Sequence, residues 1–465
     1  MKILARIILF LCIYLSLYSQ EETNNWYFGY YAGLRFCDTC SKPLAVNDGV
    51  LYSPEGCASI SDSSGNLLFY TDGMTVYNKN HQVMKNGSDL LGNNKSTQSS
   101  LILPKPNNKN IYYLFTISRR DFYQGLNYSI VDISKDNGAG EVIEKNIRLF
   151  DSASDKITAV KHKNNLYYWI FAIEYGKDNN WPLPDSTSYL NKNFLSFLLT
   201  DTGVVSKPVI SPIKTKIMIA TKYNIDYGYL KTSPKGDKIA AIVFVNKVKE
   251  AKDNPTVLIY SIDNSTGICI EDYSLILCLN KKGTIYEDGF TFLSPYGCEF
   301  SKSGRKLYIG NTYSYNDYYS SYDSSWKIIQ IDLSLKDRDK ITKSKTVVWA
   351  GGRTKEGLEQ NVWALQMGPD GKIYVAYNNS QYLGVINNPE AAGTACNYER
   401  NGIYLEDGKS FKGLPNFPSF YFSKNRECSN EYFDIDYFSN NNIKTIGKAF
   451  ISDSALRLTS TEKNT

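Results

Sequence analysis

The feature that most constrains this chain is a strand–turn–strand unit that recurs along it with one turn chemistry. The clearest copy is Ala364–Ala376, built around Pro369-Asp370-Gly371-Lys372. Tyr229–Ala240, Gly297–Ile309 and Gly56–Tyr70 repeat it around Gly236, Gly304 and Gly65. Ser99–Phe115 and Ile157–Trp169 are looser copies, the second turning at Asn164-Asn165. Proline fixes φ early in a turn, and Asx-Gly or Ser-Gly supplies the positive φ that joins two antiparallel strands. One hairpin cannot bury its own faces. Copies spaced roughly 40 to 70 residues apart therefore predict small sheets stacked radially, an all-β β-propeller, over a sandwich of unrelated hairpins.

Strands between the hairpins complete the blades. Leu126–Asp132, Leu195–Asp201, Val257–Asp263, Lys327–Leu333 and Tyr382–Asn387 each read as an apolar strand ending in polar turn residues. A seventh blade is assembled from both ends, with Trp26–Gly29 early and Gly413–Phe417 to Phe422 late. Such closure removes exposed edge strands. The expectation is a seven-bladed propeller over residues 21–427, with WD40-like repeats.

Composition agrees. The 37 Tyr and 21 Phe against 5 Met and 2 His favour pleated, half-buried surfaces. A net charge of +5, with Lys scattered among Asp and Glu, gives no basic face for nucleic acid or an anionic membrane. Residues 1–20 read as a signal peptide: Lys2 and Arg6, an apolar run from Ile7 to Leu17, then small and polar residues. That run is too short to span a bilayer. With it removed no transmembrane segment is expected, and the mature protein is read as secreted or carried at the cell surface.

Of nine cysteines, Cys12 leaves with the leader, and an even number in an exported chain reads as disulfides. Cys37 and Cys40 suit a local bridge, Cys269 and Cys278 a hairpin bridge, and Cys396 and Cys428 a tie at the end of the repeats. Cys57 and Cys298 occupy equivalent places in two repeats. No second CxxC and no histidine at ligand spacing accompanies Cys37-Asp38-Thr39-Cys40, so no metal site and no cofactor are expected. The Asx-Gly turns lack the spaced acidic loop of a calcium site.

No catalytic motif is present: neither a nucleophile elbow, nor HExxH, nor a phosphate or dinucleotide loop. His81 and His162 fall in polar turns. Glu55 and Glu299 are candidate channel carboxylates for glycoside chemistry, which needs two flanking the scissile bond. A structural ion pair is the simpler reading of each. Tyr315, Tyr318 and Tyr319, in a Tyr/Ser/Asn-rich loop, and Trp181, in another long insertion, have the composition of recognition loops.

Several collinear motifs resemble one family. Asn25–Gly29, Glu55–Asp62, Asn66–Gly73, Tyr77–His81, Ser96–Ser99, Leu383–Pro389, Ala395–Tyr398 and Gly413–Phe417 are similar to the N-terminal propeller region of Bacteroidota cell-surface proteins of the type IX secretion, gliding-motility-associated class. The resemblance covers roughly Asn25 to Phe422. It implies a surface location and a propeller fold, and no defined activity. Such proteins usually carry further β-sandwich modules. Residues 428–465 read as a linker and the opening strands of a truncated lectin-like β-sandwich. The chain is thus expected to mediate binding, adhesion or assembly without catalysis, its partner an extracellular glycan or surface protein. The alternative is a propeller enzyme acting on polysaccharide, a glycosidase or lyase.

Overall fold

A computed structural model describes residues 21–37, 40–118, 124–174, 192–214, 228–242, 257–275, 294–313, 326–335, 337–351, 361–423, 432–439, 442–452 and 455–460. The chain divides into two units, Glu21–Ser423 and a second comprising Met1–Gln20 with Lys424–Thr465.

The first unit is a seven-bladed β-propeller. Blade 1 holds β1 (Asn25–Tyr30), β2 (Ala32–Arg35), β3 (Leu44–Val46) and β4 (Tyr52–Ser53); blade 2 holds β5 (Ala58–Ser61), β6 (Leu67–Thr71) and β7 (Val76–Asn78). Blade 3 follows as β8 (Ser100–Lys105), β9 (Asn108–Ile117), β10 (Leu126–Asp132) and β11 (Glu141–Phe150). Blade 4 is β12 (Ala153–Lys161), β13 (Tyr168–Glu174) and β14 (Lys192–Thr200), edged by β15 (Gly203–Val204) and β16 (Val209–Ile213). Blade 5 is β17 (Leu230–Thr232), β18 (Lys238–Ile242), β19 (Val257–Asp263) and β20 (Ile268–Leu275). Blade 6 is β21 (Ser294–Phe300), β22 (Lys306–Tyr313), β23 (Trp326–Asp332) and β24 (Thr346–Gly351). Blade 7 is β25 (Val362–Met367), β26 (Ile373–Tyr377), β27 (Tyr382–Ile386) and β28 (Tyr398–Tyr404). In the second unit β29 (Tyr432–Ser439), β30 (Asn442–Ser452) and β31 (Ala455–Ser460) form an antiparallel three-stranded sheet.

The repeated turns do what their residues dictate. Gly65, Gly236, Gly304 and Gly371 have φ between +70° and +79°, and Asn107 and Asn165 take the same region in the looser copies. A bond from the Gly236, Gly304 or Gly371 N–H to the carbonyl three residues back closes each turn. Position in the blade then sets burial. All five residues of β26 are buried, because neighbouring blades cover both faces. Outer strands keep one wet face: along β20, Ile268 and Ile270 are exposed while Cys269 between them is buried.

The ring closes where both ends were expected to meet. Tyr30 and Lys409 exchange backbone hydrogen bonds, which places the returning chain inside β1. The same segment bonds β25 through Ala364 N–H to Lys412 O, and reaches the start of blade 2 through Asn416 N–H to Cys57 O. Residues 409–417 therefore take the inner lane of blade 1. Trp26 locks the seam, fully buried against Phe36, Tyr374 and Phe417 at centroid distances of 5.1, 5.4 and 5.8 Å. Its indole N–H donates to Thr23 O.

Candidate functional site

The inner strands bring polar side chains from several blades to the propeller axis, where several of them pair with one another. Lys231 of β17 and Glu299 of β21 form a fully buried ion pair at 3.1 Å. Lys231 Nζ also donates to Gln366 Oε1 at 2.5 Å. The Glu299 carboxylate accepts the Phe300 and Met367 backbone N–H groups. Burial pushes the Glu299 carboxyl up, against the pull of Lys231 and those two donors. Beside them, Gln98 exchanges hydrogen bonds with the backbone of Leu230 and donates to Asn416 Oδ1, while Asn416 Nδ2 donates to Ser100 O and Ile157 O. These two amides tie blades 3, 4 and 5 to the closing segment.

Glu55 sits nearer the start of the inner strands. It pairs with Lys412 at 3.0 Å and accepts the Tyr296 hydroxyl at 3.1 Å. Lys412 Nζ lies 4.7 Å from the centroid of the Trp363 ring, which packs edge-on against Tyr296. Both carboxylates singled out from sequence are thus axial, and each is buried and neutralised by a lysine. A glycoside hydrolase needs two carboxyl groups that reach the substrate; Glu55 and Glu299 are occupied within the fold. The two histidines serve the fold as well. His81 packs against the stacked Tyr27 and Tyr70 rings and hydrogen-bonds the Tyr70 hydroxyl through Nδ1. His162 Nδ1 accepts the Asn164 N–H in a turn. Among the described residues, no three His, Cys, Asp or Glu side chains gather as a metal site.

Of the expected disulfides, Cys37–Cys40 is formed. Cys57, Cys269, Cys298 and Cys396 are free and buried, which corrects their reading as bridge partners; Cys278 and Cys428 lie outside the described residues. The reason is packing. Cys57 and Cys298 belong to the largest apolar cluster and behave there as small hydrophobes. Burial raises both thiol pKa values, and that of Cys269 to about 12. We expect none of these four thiols to react within an hour with a water-soluble disulfide reagent at pH 8 in the native protein, and all four to react in guanidinium. Rapid labelling of Cys57 or Cys298 without denaturant would contradict the packing.

Trp181, Tyr315, Tyr318 and Tyr319 fall between β13 and β14 and between β22 and β23, outside the described residues. The described residues carry a different aromatic surface. In a ring of meanders that start at the axis, first-to-second turns share one rim, and second-to-third turns share the other. On this second rim, Tyr30 and Tyr31 at the β1–β2 turn, Tyr52 of β4 and Phe411 of the closing segment form one cluster. Their centroids are 4.4 Å (Tyr30–Tyr31), 6.1 Å (Tyr30–Tyr52) and 5.9 Å (Tyr52–Phe411) apart. The three tyrosines are 41%, 42% and 49% exposed. Tyr382 and Tyr404, at the same end of blade 7, form a second exposed pair at 5.1 Å. Sequence reading missed this surface because Trp26–Gly33 has the look of core strand. The turn that exposes them has Tyr31 at φ +51° directly after Tyr30, a conformation that a tyrosine does not announce in sequence.

No family model matches the sequence, and no curated protein matches it. Among solved structures, a protein described as a candidate 6-phosphogluconolactonase from Bacteroides uniformis is 13% identical with a TM-score of 0.43, over 82% of this chain and 97% of its own. Kuenenia stuttgartiensis hydrazine synthase is 10% identical with a TM-score of 0.38, over 92% and 99%. A functionally unknown protein from Desulfotomaculum acetoxidans is 13% identical with a TM-score of 0.37, over 84% and 90%. The blade count rests on the sheet topology, and nothing of those proteins' chemistry is carried over to this chain.

Proposed function

We propose that this chain is an exported β-propeller that acts by binding, at the cell surface or outside the cell, and does not catalyse a reaction. One observation carries the reading: the two axial carboxylates Glu299 and Glu55 are each paired with a lysine, whereas the described rim exposes a cluster of hydroxylated aromatic rings. Aromatic surface of that kind gives contact area at low entropic cost and suits recognition. The leader-like residues 1–20 and the resemblance of several motifs to those of Bacteroidota surface proteins support export and a role in adhesion or assembly. Among the described residues, no helix is long and apolar enough to cross a membrane.

The test is to incubate the full chain with extracellular polysaccharides and surface extracts, following retention and released products together. Retention without new reducing ends or unsaturated sugars is the expected result. Turnover abolished by Glu55→Gln or Glu299→Gln in a folded protein would overturn it in favour of a polysaccharide-degrading enzyme.

A further inference from the structure

We propose that the cluster of Tyr30, Tyr31, Tyr52 and Phe411 at the ring-closing seam is a carbohydrate-binding site for a neutral, linear glycan, whose sugars meet ring faces at some positions and ring edges and hydroxyls at others. The inference rests on the binding reading above and assigns it a site and a ligand class.

The rings are held before any ligand arrives. The Tyr30 N–H donates to Lys409 O and the Lys409 N–H to Tyr30 O, while the Tyr31 N–H donates to Leu51 O. Three stretches of chain that are distant in sequence are thereby fixed side by side. The rings brace one another, Tyr52 standing edge-on to both Tyr30 (89°) and Phe411 (83°). Little side-chain freedom is left to lose on binding.

The chemistry of the patch fits sugar. A pyranose offers axial C–H groups on one face and hydroxyls around its edge. Tyrosine answers with an apolar ring face and a polar tip. Polar groups flank the patch. Asn47 Nδ2 bonds Glu406 Oε2, and Gly408, two residues on, packs beside Ala32 next to Tyr31. Charge is mixed, with Glu406 and Asp407 ahead of Lys409 along the seam. No single-sign field is present to select a polyanion.

The aromatic patch alone is of oligosaccharide size. Tyr30, Tyr31 and Tyr52 together leave roughly 260 Å² uncovered, taking about 200 Å² for each side chain. A stable protein interface covers about 800 Å² on each side. The patch spans two or three sugar rings.

The experiment uses the full chain and a panel of soluble gluco-, manno- and galacto-oligosaccharides of four to six units, with affinity read by calorimetry and near-ultraviolet difference spectra. At least one linear oligosaccharide is expected to bind. Tyr30→Ala and Tyr52→Ala should each weaken it tenfold or more with the melting temperature held, while Tyr52→Phe, which keeps the ring, stays within threefold. Binding that survives both alanine variants would overturn the seam and leave the binding reading standing. No binding anywhere in the panel would overturn the carbohydrate assignment. Turnover of a panel member would overturn the binding reading itself.

Discussion

Gly29→Ala is expected to open the ring. Gly29 has φ +62°, a region where a Cβ costs about 1–2 kcal/mol. A Cβ there would also lie 2.1 Å from Lys409 O and 3.1 Å from Ser410 Cα, both backbone atoms that no rotamer can move aside. Next to this contact is the Tyr30–Lys409 pair, through which the returning chain enters the inner lane of blade 1. Displacing Lys409 breaks that pair and loosens Phe417 from the box around Trp26. Strain, two lost hydrogen bonds and weakened aromatic packing together reach about 3–5 kcal/mol. The cost shows as a lower urea midpoint and as new protease cleavage near residues 405–423. Aggregation follows, because an open ring exposes strand edges. Gly371→Ala separates strain from closure. Its φ is +74°, but nothing lies within 4 Å of a Cβ there. About 1 kcal/mol is the expected loss, with no new cleavage. Equal losses in the two variants would show that the seam does not hold the ring.

How much of this was legible follows from the range of each interaction. The hairpin turns were readable because their cause is local: Gly65, Gly236, Gly304 and Gly371 need positive φ whatever surrounds them. Closure was readable from both ends, since Trp26–Gly29 and Gly413–Phe417 are strand-like segments that the repeat count leaves over. Its single-pair contacts at Tyr30–Lys409 and Cys57–Pro415 were not. The cysteines misled because an even count says nothing about burial; Cys57 and Cys298 lie in packed apolar surroundings. Glu299 could be placed on an inner strand, but its partner Lys231 comes from another blade, and only the ring brings them together. The tyrosine seam fails for the same reason. Tyr30, Tyr52 and Phe411 are far apart in sequence and meet only where the ring shuts.

Lys231→Met tests the axis, and its effect should depend on pH. Removing the ammonium leaves Glu299 buried without its counter-ion, which costs about 3–5 kcal/mol when a buried pair is broken from one side. Burial already pushes the Glu299 carboxyl up, and Lys231 is the first group opposing that shift. Without it the folded-state pKa rises further above the unfolded value of about 4.3. The folded variant then binds a proton that the unfolded chain has released. Its stability is therefore fully present below that unfolded value and is lost as pH rises through the raised folded pKa. Urea midpoints at pH 4.5, 6 and 8 should show the deficit against wild type widening with pH. The double variant Lys231→Met/Glu299→Leu removes both charges at similar volume, and should recover much of the loss and all of the added pH dependence. Recovery stays incomplete, because the Phe300 and Met367 N–H groups lose the carboxylate that accepts them. A deficit of the same size at every pH, or a double variant as weak as the single one, would mean that Lys231 serves the axis through packing and its bond to Gln366 rather than by neutralising Glu299.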